Sequence, residues 1–190
     1  FDEKLENISG SNAMDIAQDM INSTINNKVS TITGSLNIVS EDFQLSNSNG
    51  LELADESTYI TGIINAESEF GNIPVSGIGH ASGRTLLNFS AERIGKDAKN
   101  MCIKAINPQK IDSGKYSIIF EPYSVGELLA FVVAANFNFK TFSEKKSCFS
   151  NDLDKKIGID ELNLIDDPHI PEGIGTKSID DEGIETQKRN

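Results

Sequence analysis

No apolar run in this 190-residue sequence approaches the roughly 20 residues that span a bilayer. The longest, Val125 to Ala135, is interrupted by Gly126 and Glu127 and so reads as a core helix. The sequence opens on Phe1 with no basic segment leading into an apolar one, unlike a secretory leader, and the missing initiator Met points to a natural chain that begins upstream. There are only two cysteines, Cys102 and Cys148, without a CxxC, so two reduced thiols fit better than a disulfide framework. The two histidines, His80 and His169, make no standard zinc spacing with them. Bases are scarce as well. Seventeen Lys and Arg face 29 Asp and Glu, for a net charge of −12. Phosphate recognition needs clustered cations, and the pairs Lys145-Lys146 and Lys155-Lys156 are each balanced by nearby acids. Nucleic acid and membrane are therefore not expected partners.

What remains, 37% hydrophobic and 24% charged, suits a folded domain. Residues 11–28 place Ala17, Met20, Ile21 and Ile25 on one helical face, with Ser11 or Asn12 as N-cap and Asn26-Asn27 as the stop. From Val29 the spacing shortens towards two. Asn47-Ser48-Asn49-Gly50 is a tight-turn sequence, so residues 29–70 are predicted as an antiparallel meander that includes Tyr59 to Ala66. Gly71 to Gly83 is expected to be a loop or an edge crossing. Ser90 caps a second helix with Ile94, Ala98, Met101, Cys102 and Ala105 on one face, ended by Asn107-Pro108. A buried strand is predicted at Tyr116–Phe120, broken by Pro122. A third helix from Ser124 to about Phe139, apolar nearly all round, is expected to be buried. A short strand at Leu162–Ile165 precedes a Pro- and Gly-rich loop. Together these predict an α+β fold with antiparallel sheet packed on helices.

Dense carboxylates occur at Asp166-Asp167 and Asp180-Asp181-Glu182. Such pairs can divide acid and base roles or bind Ca²⁺ or Mg²⁺. Asp before Pro starts turns and Asp near Gly closes them, so the turn reading is the stronger. Gly77-Ile78-Gly79-His80 lacks the spacing of a phosphate loop, and His80 is expected at the surface. Cys148 lies near Lys145-Lys146 but has no partner for nucleophilic chemistry. Arg84, next to Gly83 and followed by the apolar TLLNF, suits a buried or interface ion pair.

The order of these features resembles the TldD/PmbA family. The NSNG turn, Gly83-Arg84 and the Ile94–Ala105 helix are similar to the latter part of that family's N-terminal domain, followed by a Gly-Lys-Tyr strand and Pro122. The segment IDDPHIPEGIGTKSIDDEGIETQ follows the family's DDP-to-DDEG stretch, with Asp166, Asp167, Pro168, Asp180, Asp181, Glu182 and Gly183 as its markers. The likeness runs from about Asn12 to Gln187. It implies residues 1–160 as an N-terminal-type α+β domain, incomplete at its start, and 161–190 as a segment leading into an absent β-rich domain.

The resemblance also implies function: cytoplasmic proteolysis by paired TldD and TldE (PmbA) subunits, once described as modulators of DNA gyrase. The active TldD-type subunit carries HExxxH on a helix, two His holding zinc and the Glu serving as base. With Gly126 set on the family's glycine, that motif falls on Ala130, Phe131 and Ala135. The expectation is a PmbA/TldE-type subunit with no catalytic residue and no cofactor of its own. Zinc is then expected only in a TldD-type partner, and the partners are that subunit or a second copy, with a peptide substrate. An active metallopeptidase with ligands supplied elsewhere and a non-catalytic protein-binding regulator are the alternatives.

Overall fold

A computed structural model describes residues 1–189. It divides into two units, Phe1–Lys110 with the segment from Ile165 onward, and Ile111–Leu164. The first contains α1 (Glu3–Glu6), α2 (Gly10–Thr24), β1 (Thr31–Ser46), β2 (Glu52–Ser68), β3 (Val75–Gly83), a 3-10 turn at Leu86–Asn88 and α3 (Ala91–Ala105). The three strands form one antiparallel sheet in the order β1-β2-β3. The fold is α+β.

Alternation on β2 decides which face is covered. Ile60, Gly62, Ile64, Ala66 and Ser68 are buried, while the residues between them are partly or fully exposed. On β1 their partners are Ile38, Leu36, Gly34 and Ile32. Two helices close this face. Met20 and Thr24 come from α2, and Ile94, Ala98 and Cys102, spaced by four, come from α3. Each large apolar side chain buried here, such as Ile94 at 0% exposure, contributes about 1.5–3 kcal/mol. Burial, with Glu67 nearby, also pushes the Cys102 thiol up.

The glycine-rich stretch 71–83, expected to be a loop or an edge crossing, is instead mostly an edge strand, since β3 pairs in unbroken register from Val75 to Gly83. Close packing is the reason those glycines are there. A Cβ on Gly79 would strike the carbonyl oxygen of Ile94, and one on Gly77 the backbone nitrogen of Cys102. At Gly77 and Gly79 the strand presents no side chain, so α3 rests on its backbone there.

Helix limits shift by a few residues. The N-cap of α2 is Ser9, whose Oγ accepts from Asn12 N at 3.1 Å, and the helix ends at Thr24. Ser90 caps α3 as expected, through Arg93 N at 3.3 Å. Ahead of them, Asp2 caps α1 through Lys4 N (2.9 Å) and also accepts from Leu86 N (3.0 Å). Its own N–H donates to Thr58 Oγ1 at 2.8 Å, so the first turn is pinned to β2.

Register also exposes an asymmetry. β3 reaches only Ile60–Ser68 of β2, so Glu52–Tyr59 and Val39–Ser46 continue as a two-stranded ribbon. Isolated ribbons are marginal in water. Something has to cover this one.

The second unit departs most from expectation. Tyr116–Phe120 forms no strand and is exposed, Ile119 almost fully, and Leu162–Ile165 is also irregular and exposed. Both segments are apolar, yet neither has a neighbouring strand among the described residues to satisfy its backbone. Pro122 does not break an element but opens one, at the first position of α4 (Pro122–Leu128), where its missing N–H costs nothing. A π turn (Leu129–Val133), α5 (Ala134–Phe137) and α6 (Phe139–Ser143) follow. The helix expected to be buried is largely exposed, with Phe131 at 81% and Val132 at 55%. Its apolar circumference asks for more cover than the described residues provide.

Replacing Gly79 with Ala is expected to cost about 1–3 kcal/mol by forcing α3 off the sheet. Gly10→Ala, where a Cβ meets nothing within 4 Å, is expected to be neutral or slightly stabilising. Denaturant midpoints of the two variants check both.

Candidate functional site

The DDP-to-DDEG segment is what covers the ribbon. Arg84, just beyond β3, donates from Nε to Gly173 O (3.0 Å) and from Nη2 to Ile174 O (2.8 Å) and Thr176 O (2.5 Å). The expected ion pair is thus a clamp on backbone carbonyls. A guanidinium suits this because its planar fork reaches several acceptors at once. Asn88 Nδ2 donates to Glu172 Oε2 at 2.5 Å, and Ser178 Oγ to Asp55 Oδ2 at 3.0 Å. Beneath lies a cavity of about 50 Å³ lined by Phe43, Asp55, Arg84, Thr176, Lys177 and Asp181 among others. That is room for a few waters and not for a peptide.

The acidic markers do backbone work. Asp180 Oδ1 accepts from Glu182 N and Ile184 N, both at 2.9 Å, closing a turn between the bridged Ile179 and Glu185. Gly183 completes it at φ +82°, a left-handed backbone that glycine tolerates. A Cβ there would also press on Leu51 at 2.6 Å and Leu45 at 2.8 Å, at the tip of the ribbon. Asp166 exchanges both backbone hydrogen bonds with Arg189, at 3.0 and 2.8 Å. Asp167 Oδ1 accepts from His169 N at 3.0 Å, while Oδ2 meets Lys188 Nζ at 2.9 Å. The Lys188 ammonium, then the His169 N–H, hold the Asp167 carboxyl below its ordinary range. Pro168 O accepts from Lys177 N at 3.2 Å. Asp181 and Glu182 are exposed, and Asp181 pairs only loosely with Lys177 at 3.6 Å. Of the marker residues, Gly83, Arg84 and the 166–183 stretch come together in one place, as a strap and its anchor.

Ala130, Phe131 and Ala135 lie elsewhere, in the second unit. There Ala134 N–H donates to Leu129 O, five residues back, in place of the α-helical four. In a regular α-helix residues five apart point about 140° away from each other. A π turn brings such residues towards one line, and π turns recur at functional sites. Such a turn brings residues five apart, among them Ala130 and Ala135, towards one side of the helix. The side chains of Ala130, Phe131 and Ala135 are methyl groups and a benzene ring, which offer no lone pair, so these positions do not fit a zinc ion. Nearby, Ser147 Oγ donates to Asn136 O (2.7 Å), and Asn136 Oδ1 accepts from Cys148 N (2.9 Å). Cys148 keeps an exposed thiol.

A profile of the PmbA/TldA metallopeptidase C-terminal domain matches residues 113–190. The match begins inside the stretch expected to be N-terminal-type domain. Metalloprotease PmbA of Escherichia coli O157:H7 is 28% identical over 110 residues, 57% of this chain and 24% of that protein. A metalloprotease of Methanocaldococcus jannaschii is 26% identical over 92 residues, 48% of this chain and 20% of that one. The chain is thus similar to TldD/PmbA-family proteins, with the family profile covering residues 113–190. Its fold is that of a Thermotoga maritima MSB8 structure described as a suggested modulator of a DNA gyrase: TM-score 0.89, 22% identity, 97% of this chain and 43% of that one. A Bacteroides thetaiotaomicron VPI-5482 structure of similar description gives TM-score 0.86 and 23% identity over 100% of this chain and 44% of that one. The chain thus spans less than half of these structures, and about a quarter or less of the two curated relatives. No helix among the described residues is long and apolar enough to cross a membrane.

The π turn could not be read from sequence, because LAFVV suits an α-helix equally well. The carbonyl clamp of Arg84 was equally hidden, since its acceptors lie about 90 residues downstream.

Arg84→Ala is expected to release the 173–176 strap at a cost of about 1–3 kcal/mol, read as faster amide exchange in 166–187. Asp167 bears on acid stability. Its folded pKa is depressed, so its contribution is complete above the unfolded value of about 3.9 and is lost as pH falls further. Asp167→Asn is expected to flatten that part of the stability profile, measured by unfolding between about pH 6 and pH 2.

Proposed function

We propose that this chain is part of a PmbA/TldE-type subunit that carries no zinc of its own and works beside a zinc-bearing TldD-type partner in cytoplasmic peptide hydrolysis. One observation supports this reading above the others: the helix keeps a π turn at Leu129–Val133, while Ala130, Phe131 and Ala135 hold no metal-binding atom. A π turn suits ligands five residues apart, the spacing of the HExxxH motif that the resemblance sets on these positions. Peptide positioning is the role left to such a subunit, the hydrolytic water being activated on the partner.

Metal analysis of the whole purified protein tests the proposal. The expected result is no stoichiometric zinc in the protein alone, and tightly bound zinc at one per chain overturns it. Peptide hydrolysis is expected only when a TldD-type subunit is added. The combined substitution Ala130→His, Phe131→Glu, Ala135→His is expected to create zinc affinity measurable by calorimetry, because the turn already suits the spacing.

A further inference from the structure

Asn49 and Gly50 lie in the turn between β1 and β2, and Asn49 is the one asparagine in the sequence followed by glycine. The turn is stapled by its first residue. Asn47 Oδ1 accepts from Asn49 N at 2.9 Å and from Leu51 N at 3.2 Å, while Asn47 N donates to Leu51 O at 3.0 Å. Asn49 itself is exposed, and among the described residues no hydrogen bond holds its side-chain amide. Gly50 follows at φ +89°, a backbone that favours glycine, and a Cβ there would meet nothing within 4 Å.

An unheld asparagine amide beside an unshielded glycine nitrogen sets up one reaction. Gly50 N gives its proton to base and attacks Asn49 Cγ. The bond from Cγ to Nδ2 breaks, and ammonia leaves with a proton from water, closing a succinimide ring. Water then opens the ring at either carbonyl, leaving aspartate or isoaspartate. On balance water is taken up and ammonia is released. The nucleophile is not free at rest, because the Gly50 N–H donates to Asn47 O at 3.2 Å. That bond has to open before attack, and the two contacts to Asn47 Oδ1 keep the turn shut.

We propose that Asn49 is a site of spontaneous deamidation whose rate is set by the grip of Asn47 on the turn. Every group the reaction needs lies between Asn47 and Leu51, so the inference stands apart from the zinc question. An isoaspartate at this position puts an extra methylene into the backbone between the Asn49 and Leu51 N–H groups, which share the Asn47 acceptor. Leu51 is also one of the leucines that a Cβ on Gly183 would press on, so a change in this turn reaches the strap.

Incubation of the purified chain at mildly alkaline pH tests it, read by mass spectrometry of the peptide containing Asn49 and by enzymatic methylation of isoaspartate. Asn49 is expected to convert ahead of every other asparagine, with the mass gain of an amide-to-acid exchange. Asn49→Gln is expected to abolish the product there, since the longer side chain closes a larger ring slowly. Asn47→Ala is expected to speed conversion about fivefold or more, because two hydrogen bonds that resist opening are gone. Asn47→Asp keeps an acceptor oxygen in place and is expected to hold the rate within about twofold of the parent. Thermal melts confirm that the variants fold. Should Asn47→Ala unfold, the parent chain decides, with conversion expected to be at least about fivefold slower folded than in denaturant. An Asn49 amide that outlasts that of another asparagine, or a rate indifferent to Asn47→Ala or to unfolding, overturns the proposal.

Discussion

The contact between the backbone of α3 and the backbone of β3 governs the first unit. Because Gly77 and Gly79 present no side chain, the helix drops onto the strand until Ile94, Ala98 and Cys102 reach β2 as well as β3. α2 then packs against α3 and closes the same core with Met20. Everything on the covered face follows from that separation. It also fixes where β3 ends, hence where Arg84 emerges, and so which downstream carbonyls the guanidinium can reach.

Beyond the end of β3 the chain meets a difficulty that helices do not solve. The β1–β2 ribbon outruns the sheet, and its apolar tip residues Leu45, Leu51 and Leu53 need cover. The acidic strap supplies it. Its aspartates spend their oxygens on backbone N–H groups, the usual behaviour of Asp in turns. The strap's own turn at Asp180–Gly183 sets a bare glycine over the leucines. Carboxylates that look catalytic by density are here held by geometry. Their charges cost little because most stay in water, and the half-buried Asp167 has Lys188 beside it.

Legibility in the sequence tracked how local each determinant is. The NSNG turn, the meander and the capped, four-spaced apolar face of α3 depend on neighbours in sequence, and all were readable. The glycine-rich β3 reads in sequence as a loop or an edge crossing because its glycines answer to a helix that begins eight residues beyond the strand's last residue. Tyr116–Phe120 and Leu162–Ile165 show the opposite error. Their β-type composition was plain, but a strand needs a partner to hydrogen-bond, and composition says nothing about that. The family resemblance was legible in the DDP-to-DDEG markers, though what those residues do required seeing their partners on β2 and after β3.

The helix from Pro122 to Phe137 carries the same lesson into function. Sequence showed its apolar character, and burial was the natural inference. Its exposure does not make that character idle, since leaving Leu128, Phe131 and Val132 in water forgoes several kcal/mol of transfer free energy. A surface of this kind persists when it is covered in the working assembly. A π turn adds to the constraint, because it gives up regular α-helical hydrogen bonding and so has to be compensated by neighbours. An apolar face and an irregular turn on the same helix therefore argue that this segment is shaped by what packs against it. Ala130, Phe131 and Ala135 offer such a neighbour methyl groups and a ring, hence apolar contact.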